Sequence, residues 1–146
     1  MPVTVEKTFR FDAGHRALGF RHLKEETLHG HTWVLRLVIE TSTELGPDKT
    51  IFDTNDLAAV VKPLIDRLDH SFILWSADPL YDGLVEVCKS GNIAEKLVCV
   101  DFNPTIEGLV EYLFHEVNEC LELHNGAVLR RADLDCSATL RASYTE

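Results

Sequence analysis

The sequence predicts an α+β fold in which strands gather at the two ends of the chain and helices fill its middle. Three observations carry this. From Val3 to His15 the odd positions hold Val3, Val5, Phe9, Phe11, Ala13 and His15, and from His29 to Thr41 they hold His29, His31, Trp33, Leu35, Leu37 and Ile39. Side chains alternate across a strand, so each run reads as a half-buried strand. Two later segments space their apolar residues every three or four positions, the period of a helix, and the chain closes on strand-like runs from Ala127 to Cys136 and Ala138 to Tyr144. The order strand-strand-helix-helix-strand-strand, grouped and not alternating, predicts a four-stranded sheet with two helices on one face.

Each element has local signals. His15, beside Gly14, ends the first strand, and the charged, irregular stretch Gly19 to Leu28 predicts a loop. Gly46-Pro47-Asp48 is turn chemistry. Asp53 or Thr54 is placed to cap a helix whose apolar stripe is Leu57, Val60, Val61, Leu64, Ile65 and Leu68. Pro63 within that stripe predicts a bend or break near Lys62, because proline has no N–H to donate and crowds the preceding turn. Ser76 to Asn92 has no clear period and predicts a long connection. After the short apolar run Leu97 to Val100, Asn103-Pro104 predicts a helix start, Asn as the cap and Pro at the first helical position. That helix buries Leu109, Val110, Leu113, Phe114, Val117, Cys120 and Leu121, and Asn125-Gly126 ends it. Such a sheet has two open edges, which favour association with copies of the same chain.

The 146 residues suit one domain, residues 1–146, long enough to bury a core without disulfides. Fourteen Lys and Arg against 24 Asp and Glu give a formal charge of −10 with no basic block, which argues against nucleic acid as a partner. A phosphorylated substrate then depends on a local set of cations, for which Arg10, Arg16, Arg21 and Lys24 are candidates. No run approaches the roughly 20 apolar residues of a membrane span, and the opening residues lack the apolar stretch of a secretory signal, so a cytoplasmic protein is expected. Cys88, Cys99, Cys120 and Cys136 form no C-x-x-C pair and are read as reduced, mostly buried thiols.

His29-Gly30-His31 is the most informative tripeptide. Residues two apart on a strand share a face, with Cα atoms about 6.6 Å apart, so both imidazoles can meet one ion. Gly30 leaves room for a close approach by backbone or ligand. His15, ending the neighbouring strand, is placed to be the third ligand. Three His ligands and one open position form a catalytic zinc site, whereas structural zinc is usually closed by four ligands. The alternative is imidazoles satisfied by backbone carbonyls or solvent.

Asp69-His70 can act as a proton shuttle with its orienting carboxylate, or be an ordinary turn. Glu25 and Glu26 are candidate general bases if desolvated, or part of a solvated loop. Glu107, in the first turn of the second helix, suits the positive helix end.

Taken in order, Phe11-Asp12-Ala13-Gly14-His15, His29-Gly30-His31, Phe52-Asp53, Leu68-Asp69-His70 and Asn103-Pro104-Thr105-Ile106-Glu107 resemble the motifs of the 6-pyruvoyl-tetrahydropterin synthase and 6-carboxy-tetrahydropterin synthase family. The resemblance spans nearly the whole chain. It implies a tunnelling fold, a four-stranded antiparallel sheet with two helices on one side, assembled into a barrel and a homohexamer with sites between subunits. It further implies zinc held at His15, His29 and His31 against the side-chain hydroxyls of 7,8-dihydroneopterin triphosphate, proton transfer by Asp69 and His70, and a pterin pocket lined by Thr105 and Glu107.

Two departures bear on the reaction. Glu25 stands where the family carries its catalytic cysteine, four residues before the first His of HGH. A glutamate subgroup has an E-x-x-HGH pattern instead, which Glu26 fits, and is associated with cleavage to 6-hydroxymethyl-7,8-dihydropterin for folate synthesis; Glu26 is therefore the expected base, ahead of Glu25. Cys136-Ser137 stands where the family has a Glu-Thr pair that binds the pterin, leaving Glu107, Asp133 or Asp135 to supply an anion. The function expected is a zinc-dependent lyase of pterin metabolism, in a folate, queuosine-type deazapurine or biopterin route. The alternatives are a non-catalytic metal- and pterin-binding paralogue and a tunnelling-fold enzyme of another purine-like substrate.

Overall fold

The computed structural model describes residues 2–41, 44–121 and 127–146. The two long strands expected at the start, β1 (Val3–His15) and β2 (His29–Thr41), pair antiparallel over their whole length, from Val3 opposite Thr41 to His15 opposite His29. Their odd positions form the core wall: Phe11, Trp33, Leu35, Leu37 and Ile39 are all buried. The register puts Gly14 opposite Gly30. A Cβ on Gly14 would lie 2.8 Å from the Phe72 ring, so this glycine admits the neighbouring strand.

The turn at Gly46 closes with a hydrogen bond from the Lys49 N–H to the Gly46 carbonyl. Helix α1 (Thr54–Leu68) follows, capped by Asp53, whose side chain accepts from the Asn55 N–H. It buries Leu57, Val61, Ile65 and Leu68. Pro63 does not break it. Pro63 and Ala59 both lie on the exposed side of the helix, where the carbonyl left without an N–H partner faces water.

The middle of the chain departs from the grouped pattern. Ser71–Trp75 forms β3, parallel to the end of β1, and Leu97–Val100 forms β4, parallel to β3. Parallel neighbours need a crossover, and α2 (Tyr81–Ser90) supplies it inside the segment expected to be a plain connection. None of its residues is fully buried, but Tyr81, Leu84, Val85 and Cys88 form a half-buried stripe at helical spacing, set between the turn signals Asp78-Pro79 and Ser90-Gly91-Asn92. Helix α3 (Ile106–Cys120) is capped by Thr105, which accepts from the Gly108 N–H; Asn103 is not the cap. The expected helix stop at Asn125-Gly126 lies outside the described residues.

Strands β5 (Ala127–Asp135) and β6 (Arg141–Thr145) complete the sheet antiparallel to β2 and to each other. The sheet has six strands in the order β4-β3-β1-β2-β5-β6, not four, and among the described residues there are three α-helices, not two. The fold is α+β as expected; the two added strands, of five and four residues, are too brief to show a period. Helix α3 seals the core with Leu109, Val110, Leu113, Phe114 and Val117. The four cysteines are free, and all are half-buried or exposed, against the expectation of burial. No helix among the described residues is long and apolar enough to cross a membrane.

Candidate metal centre and cleft

His15, His29 and His31 sit at the ends of β1 and β2 that face the same way, and the cross-strand pairing of His15 with His29 brings the rings together. Ring centroids lie 4.6 Å apart for His15 and His29, 4.8 Å for His29 and His31 and 5.2 Å for His15 and His31. One nitrogen from each ring falls within 4.8 Å of the other two. Beneath them lies Trp33, fully buried, edge-on to both His15 and His31, with its indole N–H donated to the Ala13 carbonyl at 3.1 Å.

The backbone sets the tautomers. His15 Nδ1 lies 2.7 Å from the Pro104 carbonyl and His29 Nδ1 lies 2.8 Å from the Thr27 carbonyl. A carbonyl can only accept, so both Nδ1 atoms carry hydrogen and both Nε2 atoms keep a lone pair in the neutral rings. His15 Nε2 is buried with no hydrogen-bond partner. Such an orphaned acceptor is costly unless it meets a ligand. Burial pulls the His15 pKa from 6.5 down to about 4, against the raising effect of the Pro104 bond and with help from His29 and His31. Burial and His29 lower the His31 pKa too. Three ring nitrogens that converge, with His15 and His29 oriented by the carbonyls behind them, suit a divalent metal.

His15 and His31 of the triad border a cavity of about 1020 Å³. Thr105, Glu107, Cys136 and Ser137 line its walls, and the loop between β1 and β2 adds Arg21, His22, Lys24 and Glu25. Glu26 does not line it; the Glu26 carbonyl is turned to the Arg16 guanidinium instead. Asp133 and Asp135 also lie away from the cleft, engaged by Ser143 and Arg141, so of the three acids suggested for the anion only Glu107 faces it. Burial pushes the Cys136 thiol up, which makes it a poor thiolate and no replacement for a nucleophilic cysteine.

Asp69 and His70 form a second unit. His70 Nδ1 is 2.9 Å from an Asp69 carboxylate oxygen, and the other oxygen accepts the Asp12 N–H at 2.8 Å. The Asp12 N–H, then His70, hold the Asp69 carboxyl below its usual range. His70 lines a separate depression with Asp12, Gly14, Gly30 and Thr32, the even positions of β1 and β2. Within one chain it therefore does not share the cleft of Glu25, although His31 borders both spaces.

Sequence reasoning missed three contributors. Asn103 clasps Leu18 by both backbone groups, and the Pro104 carbonyl fixes His15. Asp78, buried, holds Arg16. Pairing partners 62 to 89 residues apart leave no local signal.

A six-stranded α+β sheet with three converging histidines, two of them bordering a cleft, defines a class of protein with a candidate metal site. The model of the 6-pyruvoyl tetrahydropterin synthase family matches residues 4–146, and the chain belongs to that family. It is 32% identical, over 97% of both chains, to the 6-carboxy-5,6,7,8-tetrahydropterin synthase of Aquifex aeolicus strain VF5. An uncharacterised protein of Wolinella succinogenes has the same fold, with a TM-score of 0.86 at 21% identity over 100% of this chain and 99% of that one. So does Plasmodium vivax 6-pyruvoyltetrahydropterin synthase, solved as a catalytic-residue mutant, glutamate to alanine, with a TM-score of 0.75 at 14% identity over 100% of this chain and 98% of that one.

Proposed function

We propose that the protein is a zinc-dependent lyase of pterin metabolism acting on 7,8-dihydroneopterin triphosphate or a close analogue. The observation that carries the reading is the buried, unpartnered His15 Nε2 converging with His29 and His31 at the wall of a cleft that also holds Glu25. Zinc held by the three imidazoles supplies Lewis-acid polarisation of a substrate oxygen.

The remaining roles fall to the chain itself. Glu25 is the carboxylate that takes the proton from the side chain of the substrate, in place of the cysteine and ahead of Glu26, because only Glu25 lines the cleft. A glutamate is also the catalytic residue of the Plasmodium vivax relative. Thr105, Ser137 and Glu107 offer hydrogen-bonding groups to the ring, Glu107 providing the anion for its N–H donors. Arg21, His22 and Lys24 line the same cleft in an acidic chain and suit a polyphosphate tail.

Asp69 and His70 complete proton transfer from a neighbouring copy. Strand β1 pairs with β3 only from Ala13 to His15, which leaves its edge from Val3 to Asp12 unoccupied by any described strand on that side. Edge pairing there with a sister subunit gives the barrel and hexamer that the family resemblance implies. Such an assembly brings one copy's His70 to another's cleft.

The test is to incubate zinc-loaded protein with 7,8-dihydroneopterin triphosphate and identify the product by mass. Hydroxymethyl, pyruvoyl or carboxy products support the reading and choose among its reactions. Retained pterin affinity without turnover points to a binding paralogue, and absence of both rejects the pterin reading.

A further inference from the structure

The loop that carries Glu25 has little apolar anchorage. Residues 19–25 are all exposed, so burial of hydrophobic surface does not fix their position. What fixes them is a set of polar ties made by the three residues that follow the ligand His15.

Arg16 makes the first. Its Nε and one terminal nitrogen donate to the two carboxylate oxygens of Asp78 at 2.7 and 2.8 Å, and the other terminal nitrogen donates to the Glu26 carbonyl at 2.9 Å. The Ala17 N–H then donates to the Glu25 carbonyl at 2.7 Å. Leu18 is held through both its backbone groups by the Asn103 amide. The start and the finish of the loop are thus sewn to one another, and the start is tied through Arg16 to the turn between β3 and α2 and through Leu18 to Asn103.

Asp78 is the fixed post. Its side chain is 1% exposed, and besides Arg16 it accepts the Leu80 N–H at 2.8 Å. Burial pushes its carboxyl up, but the hydrogen bonds from Arg16 and Leu80 outweigh that and leave it ionised below the ordinary range. A carboxylate taken this far from water persists only when paired in good geometry, and the planar guanidinium fork supplies that geometry as a lysine would not. Neither Arg16 nor Asp78 lines the cleft, so neither touches what binds there.

We propose that Arg16 and Asp78 are positioning residues that hold the Glu25 carboxylate in reach of a molecule bound at the three histidines. The inference rests on the reading of Glu25 as the proton acceptor. It also assigns a task to the segment after β3, which the sequence leaves as a plain connection.

The experiment uses zinc-loaded, full-length Arg16→Lys and Asp78→Asn, each alone and combined with Glu25→Ala. Arg16→Lys keeps the charge but cannot reach both Asp78 and the Glu26 carbonyl. With Glu25 present, either variant should lower kcat by about tenfold or more, since small misplacements of a reacting group are costly, while KM and zinc content change less than about twofold. With Glu25 already removed, the same substitutions should lower the residual rate by less than about twofold, because the group they position is gone. Equal fractional losses in both backgrounds overturn the inference while leaving Glu25 as base. Full activity in Glu25→Ala removes the base, and this inference with it.

Amide hydrogen exchange decides the matter without any substrate. Exchange at the Ala17, Leu18 and Glu26 amides, which are hydrogen-bonded, should quicken about tenfold in Arg16→Lys, with Trp33 to Ile39 in β2 unchanged. Unchanged loop exchange, or equal quickening in β2, overturns the positioning role.

Discussion

His15 and Pro104 meet through a 2.7 Å hydrogen bond from ring Nδ1 to a backbone carbonyl, and the ring nitrogen on the other side is buried without a partner. A bond made 89 residues away in sequence thus fixes which nitrogen of His15 keeps its lone pair. His15→Ala should reduce zinc affinity beyond the roughly 10–100-fold that loss of a supporting partner costs. Titration with a chromophoric chelator measures this. Zinc at about 100 times its Kd should add about 2.7 kcal/mol to the stability of the unaltered protein, a rise on the order of 5–10 °C in Tm, and His15→Ala should lose that rise.

The same ring sets an acid limit on the metal-free protein. Burial first, then His29 and His31, depress the folded pKa from 6.5 to about 4 despite the Pro104 bond. Between these values the unfolded chain binds the proton and the folded chain does not, so stability rises with pH through this window and falls on acidification. Urea unfolding of the metal-free protein should lose about 3 kcal/mol between pH 6.5 and pH 4 from this group alone. His15→Gln should flatten that slope. An unchanged slope would show that His15 is not the group responsible.

Much of this was legible in the sequence, for reasons that are local. Strands β1 and β2 are 13 residues each and keep period two over most of their length, Lys7 and Val38 being the exceptions, so their course and the shared face of His29 and His31 follow from counting. Helix α1 is equally plain in Leu57, Val61, Ile65 and Leu68. Strand β3, at five residues, is too short to show a period, and the short stripe Tyr81, Leu84, Val85 and Cys88 of α2 is overshadowed by the turn signals Asp78-Pro79 and Ser90-Gly91-Asn92 on either side. Asn103 before Pro104 has the local pattern of a cap, but Thr105 takes that place through its bond to the Gly108 N–H, and Asn103 turns to Leu18. Choosing between Glu25 and Glu26 needed the loop's path in space, which no spacing rule contains.

That choice can be checked directly. Glu25→Ala should lower kcat by about 10²–10⁴, the usual worth of a positioned general base. Glu26→Ala should stay within about threefold, because Arg16 is bonded to the Glu26 backbone carbonyl, which the substitution keeps. Steady-state rates on the substrate found by product analysis give the answer, and the reverse ranking would return the role to Glu26.

Arg21 and Lys24 should act on affinity alone. Both lie on the cleft wall and are exposed, so their charges work through water and are screened by salt. Replacing either by Ala should raise KM for a triphosphorylated substrate about three- to tenfold with kcat unchanged, and the increment should shrink in about 0.5 M salt. A dephosphorylated substrate should show no such change. If both substrates lose affinity alike, the cations serve the ring or the loop and not the phosphates.

His70 offers a test of chemistry against stability. Its backbone lies in the left-handed region, φ 60°, where glycine sits freely and most side chains are strained. Its imidazole is 73% exposed and bonded to Asp69, so its removal leaves no core cavity. His70→Gly should therefore keep Tm within a few degrees, the relief of strain offsetting the greater freedom of the unfolded chain. If His70 moves a proton in a neighbour's cleft, the same variant should lose activity by about 10²-fold or more, and mixing it with inactive Glu25→Ala protein should restore part of the rate in hybrid assemblies. Hybrids in which the His70→Gly copy supplies the intact Glu25 cleft and the Glu25→Ala copy supplies His70 regain one complete site; no recovery after verified subunit exchange would place both residues' work within a single chain.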